Sequence, residues 1–235
     1  MPLYRIADFV WDIEARYDTV PRVCAPYEVK EGKADFSIRV SDEMLREETA
    51  RTEEGFSASY IESICVCRAL CDKASEHGAM LLHAATVVVN GEAYAFSAPS
   101  GTGKSTHIAL WRRYCDEGLT VLNGDKPIVR EKDGVLYAYG TPWCGKEGLN
   151  TNMSAPLRGL CFLERAESNA IRPLAAEEAL SRIFRQLLKP ASREGVAHIL
   201  RLSDALMRSV PLYLLSCNIS EEAARLSFDT MTKRK

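Results

Sequence analysis

The stretch Ala98-Pro99-Ser100-Gly101-Thr102-Gly103-Lys104-Ser105-Thr106 constrains this chain more than any other. Small residues run into Gly-Lys-Ser and open directly into a segment of helical periodicity. Gly101 and Gly103 lack a Cβ, so the backbone can curl until successive N–H groups converge on one anion. A helix beginning near Gly103 adds its positive N-terminal end. Lys104 would reach the β- and γ-phosphates as a point charge, and the Ser105 hydroxyl would ligate Mg²⁺. Ser100, Thr102 and Thr106 complete the candidate phosphate-binding set. Ala98 stands where the strict pattern has its first glycine, and its methyl is the smallest intrusion possible there.

The motif requires a strand before it and a helix after it. Residues Glu92 to Ser97 alternate and are aromatic-rich, which predicts the strand. Ile108, Trp111 and Cys115 recur at helical spacing, and Gly118 closes the run. Upstream, Met80 to Val89 reads as one buried strand, followed by Asn90-Gly91, the strongest short hairpin signal. The strand feeding the loop therefore pairs antiparallel with its predecessor. A second hairpin is expected from Pro127–Arg130 and Val135–Tyr139 around Lys132-Asp133-Gly134. Two tight hairpins disfavour a doubly wound parallel fold. The expected class is α/β with a mixed sheet: a phosphate-loop domain over residues 79–235, preceded by a small β-rich unit over 1–78.

In that first unit, Tyr4 to Asp42 is rich in strand formers, with Pro21 and Pro26 as interruptions. The charged run Ser41 to Glu54 reads as a solvated connector, and Ser59 to Lys73 as a packed helix ended by Gly78. Later, 159–163 and 170–174 read as short strands, and 176–188 and 193–207 as helices. A strand over 210–216 and a helix from Ser220 through Phe228 precede a short basic tail, Lys233-Arg234-Lys235.

Net charge is −2 over 235 residues, which offers no general attraction to nucleic acid or an anionic membrane. No apolar run approaches membrane-spanning length, and Asp8 and Asp12 interrupt any signal-like start, so a cytoplasmic location is expected. The eight cysteines form no paired CxxC, and buried, reduced thiols fit them better than a zinc site.

Phosphoryl transfer also needs a carboxylate for the metal or the attacking hydroxyl. Asp125 qualifies: the apolar run Leu119–Leu122 ends in Asn123-Gly124-Asp125, where the acid emerges one helix and one strand after the loop. Together, Ser100–Ser105, the Asn-Gly-Asp at 123–125, Gly140-Thr141-Pro142-Trp143-Cys144-Gly145-Lys146 and Leu82-His83-Ala84 make this sequence resemble the phosphoenolpyruvate carboxykinase/HPr kinase superfamily. Within it the likeness is to the short HPr-kinase-like proteins of bacteria, and it covers roughly residues 80–190.

The resemblance implies ATP and Mg²⁺ as cofactors and phosphoryl transfer to a serine-type hydroxyl, on a peptide, a protein or a small metabolite. It implies Lys104 and Ser105 on the triphosphate and metal, and Asp125 as base or metal ligand. It further implies His83 supporting that acid and Lys146 as a phosphate clamp. The family's acidic motif has two adjacent aspartates where this chain has one, and Glu147 is a candidate to stand in for the second. The alternative reading, a non-catalytic nucleotide sensor of the same fold, rests on that lone acid.

Overall fold

The computed structural model describes residues 2–115 and 118–233; the last two residues of the basic tail lie outside the described residues. The chain opens with β1 (Leu3–Ile6), β2 (Phe9–Glu14), β3 (Glu28–Val29) and β4 (Phe36–Arg39), a sheet of order β3-β1-β2-β4 in which only β2 and β4 run parallel. Ile6, Trp11 and Ile13 point inward, each at most 1% exposed. Between β2 and β3 the expected interruption is a short helix, α1 (Thr19–Cys24), and a 3-10 turn at Ala25–Tyr27.

The run 41–54 is not a connector but carries a helix, α2 (Asp42–Arg51). Ser41 caps it, its hydroxyl accepting from the Met44 N–H at 3.2 Å, and Asp42 and Glu43 occupy the first turn, where acids favour the helix dipole. Glu48, 4% exposed, points inward and pairs with Arg68. Apart from Glu48, the charges are thus a helix surface. The next helix, α3 (Ala58–Glu76), buries Ile61, Cys65, Val66 and Leu70 against this sheet.

The expected single strand from 80 to 89 is two strands, β5 (Ala79–Leu81) and β6 (Ala84–Val89), broken at Leu82-His83. β5 pairs with β9 (Ile128–Lys132), whereas β6 pairs with β7 (Glu92–Ser97) and β8 (Leu119–Asn123). Both hairpins are present, with Asn90-Gly91 joining β6 to β7 and Asp133-Gly134 joining β9 to β10 (Val135–Tyr139). All four turn residues have positive φ, from 51° to 77°, as this turn class requires.

The short strand expected at 159–163 is the middle of a longer one, β11 (Ser154–Arg165). Its start pairs with β10, its centre lies parallel to β7, and its end lies parallel to β13 (Leu212–Cys217), which also carries β12 (Ala170–Pro173). β11 is therefore the spine of a mixed sheet of order β5-β9-β10-β11-β7-β6-β8, with β13 and β12 branching from its far half.

Helices cover both faces. On one side α5 (Ala176–Gln186) and α6 (Arg193–Ser209) bury Ala179, Ile183, Ile199 and Leu206. On the other lie α4 (Lys104–Cys115) and α7 (Glu221–Thr232), whose contact holds Trp111. All eight cysteines are free thiols, and all but Cys115 and Cys217 are buried. Among the described residues no helix is long and apolar enough to cross a membrane.

The α4–α7 contact has a polar centre. Trp111 Nε1 donates to Ser227 Oγ at 2.8 Å, and His107 Nε2 lies 3.0 Å from the same oxygen. Burial pushes the His107 imidazole down to about 4. The unfolded chain, with an imidazole near about 6.5, therefore binds more protons between those values. This stabilising contribution is full above about pH 6.5 and is lost as the pH falls toward 4, by an amount on the order of 3 kcal/mol. Urea unfolding at a series of pH values should show that decline in the natural chain and a flatter profile in His107→Gln. Parallel profiles would refute the assignment.

Candidate functional site

The break between β5 and β6 aims the His83 ring. His83 N donates to Gln186 O at 2.7 Å, and Ser97 Oγ donates to His83 O at 2.8 Å, so the interrupted backbone is satisfied from α5 and β7. The ring Nδ1 lies 2.8 Å from Gln186 Oε1 at the end of α5. Its Nε2 faces two groups, Lys104 Nζ at 2.9 Å and Asp125 Oδ1 at 3.1 Å. With its proton on Nδ1 the ring accepts from the ammonium; carrying a proton on Nε2 it donates to the carboxylate.

Lys104 begins α4 and is 7% exposed, its Nζ also bonding Ala98 O at 3.0 Å. Burial lowers its pKa, an effect opposed by Asp125 and Glu147. Ahead of it, Gly101 and Gly103 hold φ of 77° and 122°, angles that a residue with a Cβ adopts only under strain. The N–H groups of Gly103, Lys104, Ser105 and Thr106 reach no backbone carbonyl among the described residues. Arg165, at the end of β11, donates to the carbonyls of Gly101 and Thr102, the latter at 3.3 Å. In a planar trans peptide the C=O and the following N–H point opposite ways. Holding the Thr102 carbonyl therefore turns the Gly103 N–H away from Arg165.

Asp125 is placed by Asn123, which is fully buried at the end of β8. Asn123 Oδ1 accepts from the N–H groups of Asp125 at 2.9 Å and Lys126 at 2.6 Å, an Asx turn. Its Nδ2 donates to Thr141 O and Thr141 Oγ1. A Cβ on Gly124 would sit 2.6 Å from Cys144 O, so only glycine lets the 141–150 segment cross the turn this closely. That segment is tied to the first unit by Trp143 Nε1 on Ser63 and by Asn150 Nδ2 on the Tyr27 hydroxyl at 3.0 Å.

The Asp125 carboxylate is paired on both oxygens, by His83 on one and by Lys126 Nζ on the other. Burial alone would raise its pKa. The His83 hydrogen bond together with the charge and hydrogen bond of Lys126 outweighs burial and holds the acid well below the usual carboxylate range. For Lys126, burial works downward, and its pairing with Asp125 carries the net shift upward.

Of the residues expected from sequence, His83, Lys104 and Asp125 come together, and Gly101, Gly103, Ser105 and Thr106 line the adjoining turn. Glu147 is close: a Cβ on Gly145 would lie 3.2 Å from Asp125 Cβ and 3.5 Å from Glu147 Oε2. Lys146 is exposed on the same turn, and among the described residues no ion pair or hydrogen bond joins it to the site. Lys126, Gln186, Asn123 and Arg165 were not expected. Of these only Asn123 carried a signal, as an amide preceding Gly-Asp at a strand end. Among the described residues no group of three or more His, Cys, Asp or Glu could hold a metal by itself.

Fold and site together define a mixed α/β protein in which a glycine-rich turn opens a helix opposite a paired, half-buried acid. The chain belongs to the SynChlorMet cassette protein ScmC family, whose signature matches residues 53–223. Among solved structures, the HPr(Ser) kinase/phosphatase from Coxiella burnetii aligns with 12% identity and a TM-score of 0.37, over 64% of this chain and 92% of that one. A likeness at that TM-score does not bear on activity. No curated protein matches the chain.

Because Asp125 is more acidic folded than unfolded, its contribution to stability is full above about pH 4 and is lost as the pH falls below that value. The gap in unfolding free energy between the natural chain and Asp125→Asn should be widest near neutrality and close in acid. A gap that is constant down to about pH 2 would show that the pairing with His83 and Lys126 does not stabilise the fold.

Proposed function

We propose that this protein is an ATP- and Mg²⁺-dependent kinase that transfers a phosphoryl group to a hydroxyl. The observation that supports the reading most directly is the meeting of Lys104 and Asp125 on one imidazole nitrogen, at 2.9 and 3.1 Å. It joins the start of α4, with its free N–H groups, to an acid just past the end of β8, 21 residues from Lys104 in sequence. The motif resemblance to HPr-kinase-like proteins points the same way.

The residues fit a nucleotide triphosphate and its metal. The Gly103–Thr106 N–H groups are unspent by the backbone, and Lys104 supplies a desolvated ammonium next to them. Ser105, with Asp125 and Glu147 across the gap, offers oxygen donors of the kind Mg²⁺ takes. Bound Mg-ATP would supply the transferable phosphoryl group and the charge that offsets its oxygens. The chain's own part is positional and electrostatic: the loop amides and Lys104 hold the anion, and Lys126 adds a second fixed cation. Asp125 accepts a hydrogen bond from the acceptor hydroxyl and orients it. An acid held this low is a weak base, which suffices because the transition state of phosphoryl transfer is loose and demands little deprotonation in advance. His83, braced by Gln186, keeps the acid and Lys104 apart at a fixed spacing. We extend the proposal to residues 1–78, which through Ser63 and Tyr27 support the 141–150 segment beneath the acid, and to a cytoplasmic setting for the reaction.

A second reading, a nucleotide sensor without turnover, is favoured by one feature: both oxygens of Asp125 are already engaged. Labelled ATP and Mg²⁺ offered with a panel of free serine, small hydroxy metabolites, peptides and cell extract should label an acceptor. Lys104→Ala should lower that transfer about a hundred- to a thousand-fold. Asp125→Asn should bind ATP as before and lose transfer. Retained transfer in both variants would refute the roles given to Lys104 and Asp125, and failure of the natural chain to label any acceptor would refute the kinase. Binding that is equal in the natural chain and Asp125→Asn, with neither one turning over, would establish the sensor.

A further inference from the structure

Beside the glycine-rich turn lies a cavity of about 460 Å³ to which Lys104, His83 and Asp125 contribute nothing. Gly101, Thr102, Gly103 and Thr106 form one wall, so the cavity is continuous with the turn. Beyond them its surface is largely apolar: Leu110 from α4, Leu163 near the end of β11 and Ala166 just past it, Cys217 at the end of β13 and Ile219 beyond it. Ile219 is 78% exposed, the highest of the large apolar side chains described. A volume of this size is within the range of small-molecule sites.

Beyond the turn itself, the polar side chains around it bond within the protein. His107 bonds Ser227 at 3.0 Å, and Glu164 accepts from Arg182 at 2.7 Å. Asn218 donates through its amide side chain to Glu167 O and through its backbone to Asn169 Oδ1. Arg165 holds the carbonyls of Gly101 and Thr102. Such a cavity binds by apolar contact. Strong rejection of a competing ligand needs buried polar groups that it would leave unpaired, whereas apolar fit discriminates only about 10–200-fold.

We propose that this cavity receives the base and sugar of a nucleoside triphosphate, and that it accepts adenine and guanine nucleotides nearly alike. The inference rests on the reading of the adjoining turn as the holder of the phosphates. The ligand then lies across the turn, its anionic end toward Lys104 and its nucleoside over Leu110 and Leu163. Arg165 touches both parts, through its hold on the turn and its place on the cavity wall.

The test measures binding of Mg-ATP, Mg-GTP and Mg-tripolyphosphate to the full chain and to two variants that fill the cavity from different elements, Leu110→Trp and Ala166→Trp. Tripolyphosphate, which has no nucleoside, reports the turn alone. ATP and GTP should bind within about tenfold of each other, and both more tightly than tripolyphosphate. Each variant should lower both nucleotide affinities about 10–200-fold and leave tripolyphosphate unchanged. Nucleotide affinities unmoved in both variants would overturn the cavity assignment and leave the turn as a phosphate holder. Loss of tripolyphosphate binding in both would equally overturn it, since cavity and turn would not be separable. A preference between ATP and GTP above about a thousandfold would overturn the tolerance of base. Failure of the natural chain to bind either nucleotide or tripolyphosphate would remove the phosphate-holding reading, and this inference with it.

Discussion

Everything at the site depends on a strand that stops for two residues. Between β5 and β6, Leu82 and His83 leave one ladder before the chain enters the other. A break in the middle of a buried sheet exposes backbone groups that must find partners. Here they do: Leu82 N on Pro127 O at 3.1 Å, His83 N on Gln186 O at 2.7 Å and Ala84 N on Asp125 O at 3.0 Å. The last of these is informative, because the backbone that repairs the break belongs to the residue whose side chain meets the His83 ring. One local defect therefore fixes the imidazole, the acid and the end of α5 relative to one another.

The charges follow from that arrangement. Two ammoniums, one carboxylate and one imidazole share a partly desolvated space in which each depends on the others. Lys104 loses more by burial than it recovers, while Lys126, in direct contact with Asp125, gains more than it loses. The difference is one of geometry: Lys126 touches the carboxylate, whereas Lys104 reaches it only across His83. An ammonium so weakly compensated is a strong site for an incoming anion, because the anion supplies what the protein withholds. Lys126 has its counter-ion already and contributes background field.

The parts of this fold that the sequence made legible are those coded locally. Asn90-Gly91 and Asp133-Gly134 specify their hairpins within two residues. The Ser-Gly-Thr-Gly-Lys-Ser turn announces itself by residues whose conformations few others can adopt. The break at His83 was not legible, because Met80 to Val89 is apolar apart from His83 and Thr86, and one polar residue inside such a run does not mark where one sheet ends. β11 was underestimated for a related reason: Ser154, Pro156 and Arg158 do not look like strand, and only pairing with β10, β7 and β13 in turn makes it one. The 41–54 run misled by composition, since its charges are the outer face of a capped helix. Gln186 and Arg165 reach the site from 103 and 64 residues away in sequence, and no local pattern encodes such meetings.

The glycine-rich turn separates two environments of opposite character, and that asymmetry is a stronger constraint than the motif itself. Toward His83 the surroundings are ionic, crowded with donors and unable to accommodate apolar matter without stranding charge. Toward Leu110 and Leu163 they are largely apolar, and the polar side chains beyond the turn bond within the protein. A purely anionic ligand would use only the first environment and leave the second wet; a purely apolar one would leave Lys104 uncompensated. A ligand complementary to both would have a compact, highly charged end joined to a flat, weakly polar body, which is the shape of the nucleotide proposed above. Arg165 marks the boundary, because its guanidinium occupies the carbonyl side of the turn and leaves the Gly103 N–H pointing away from it.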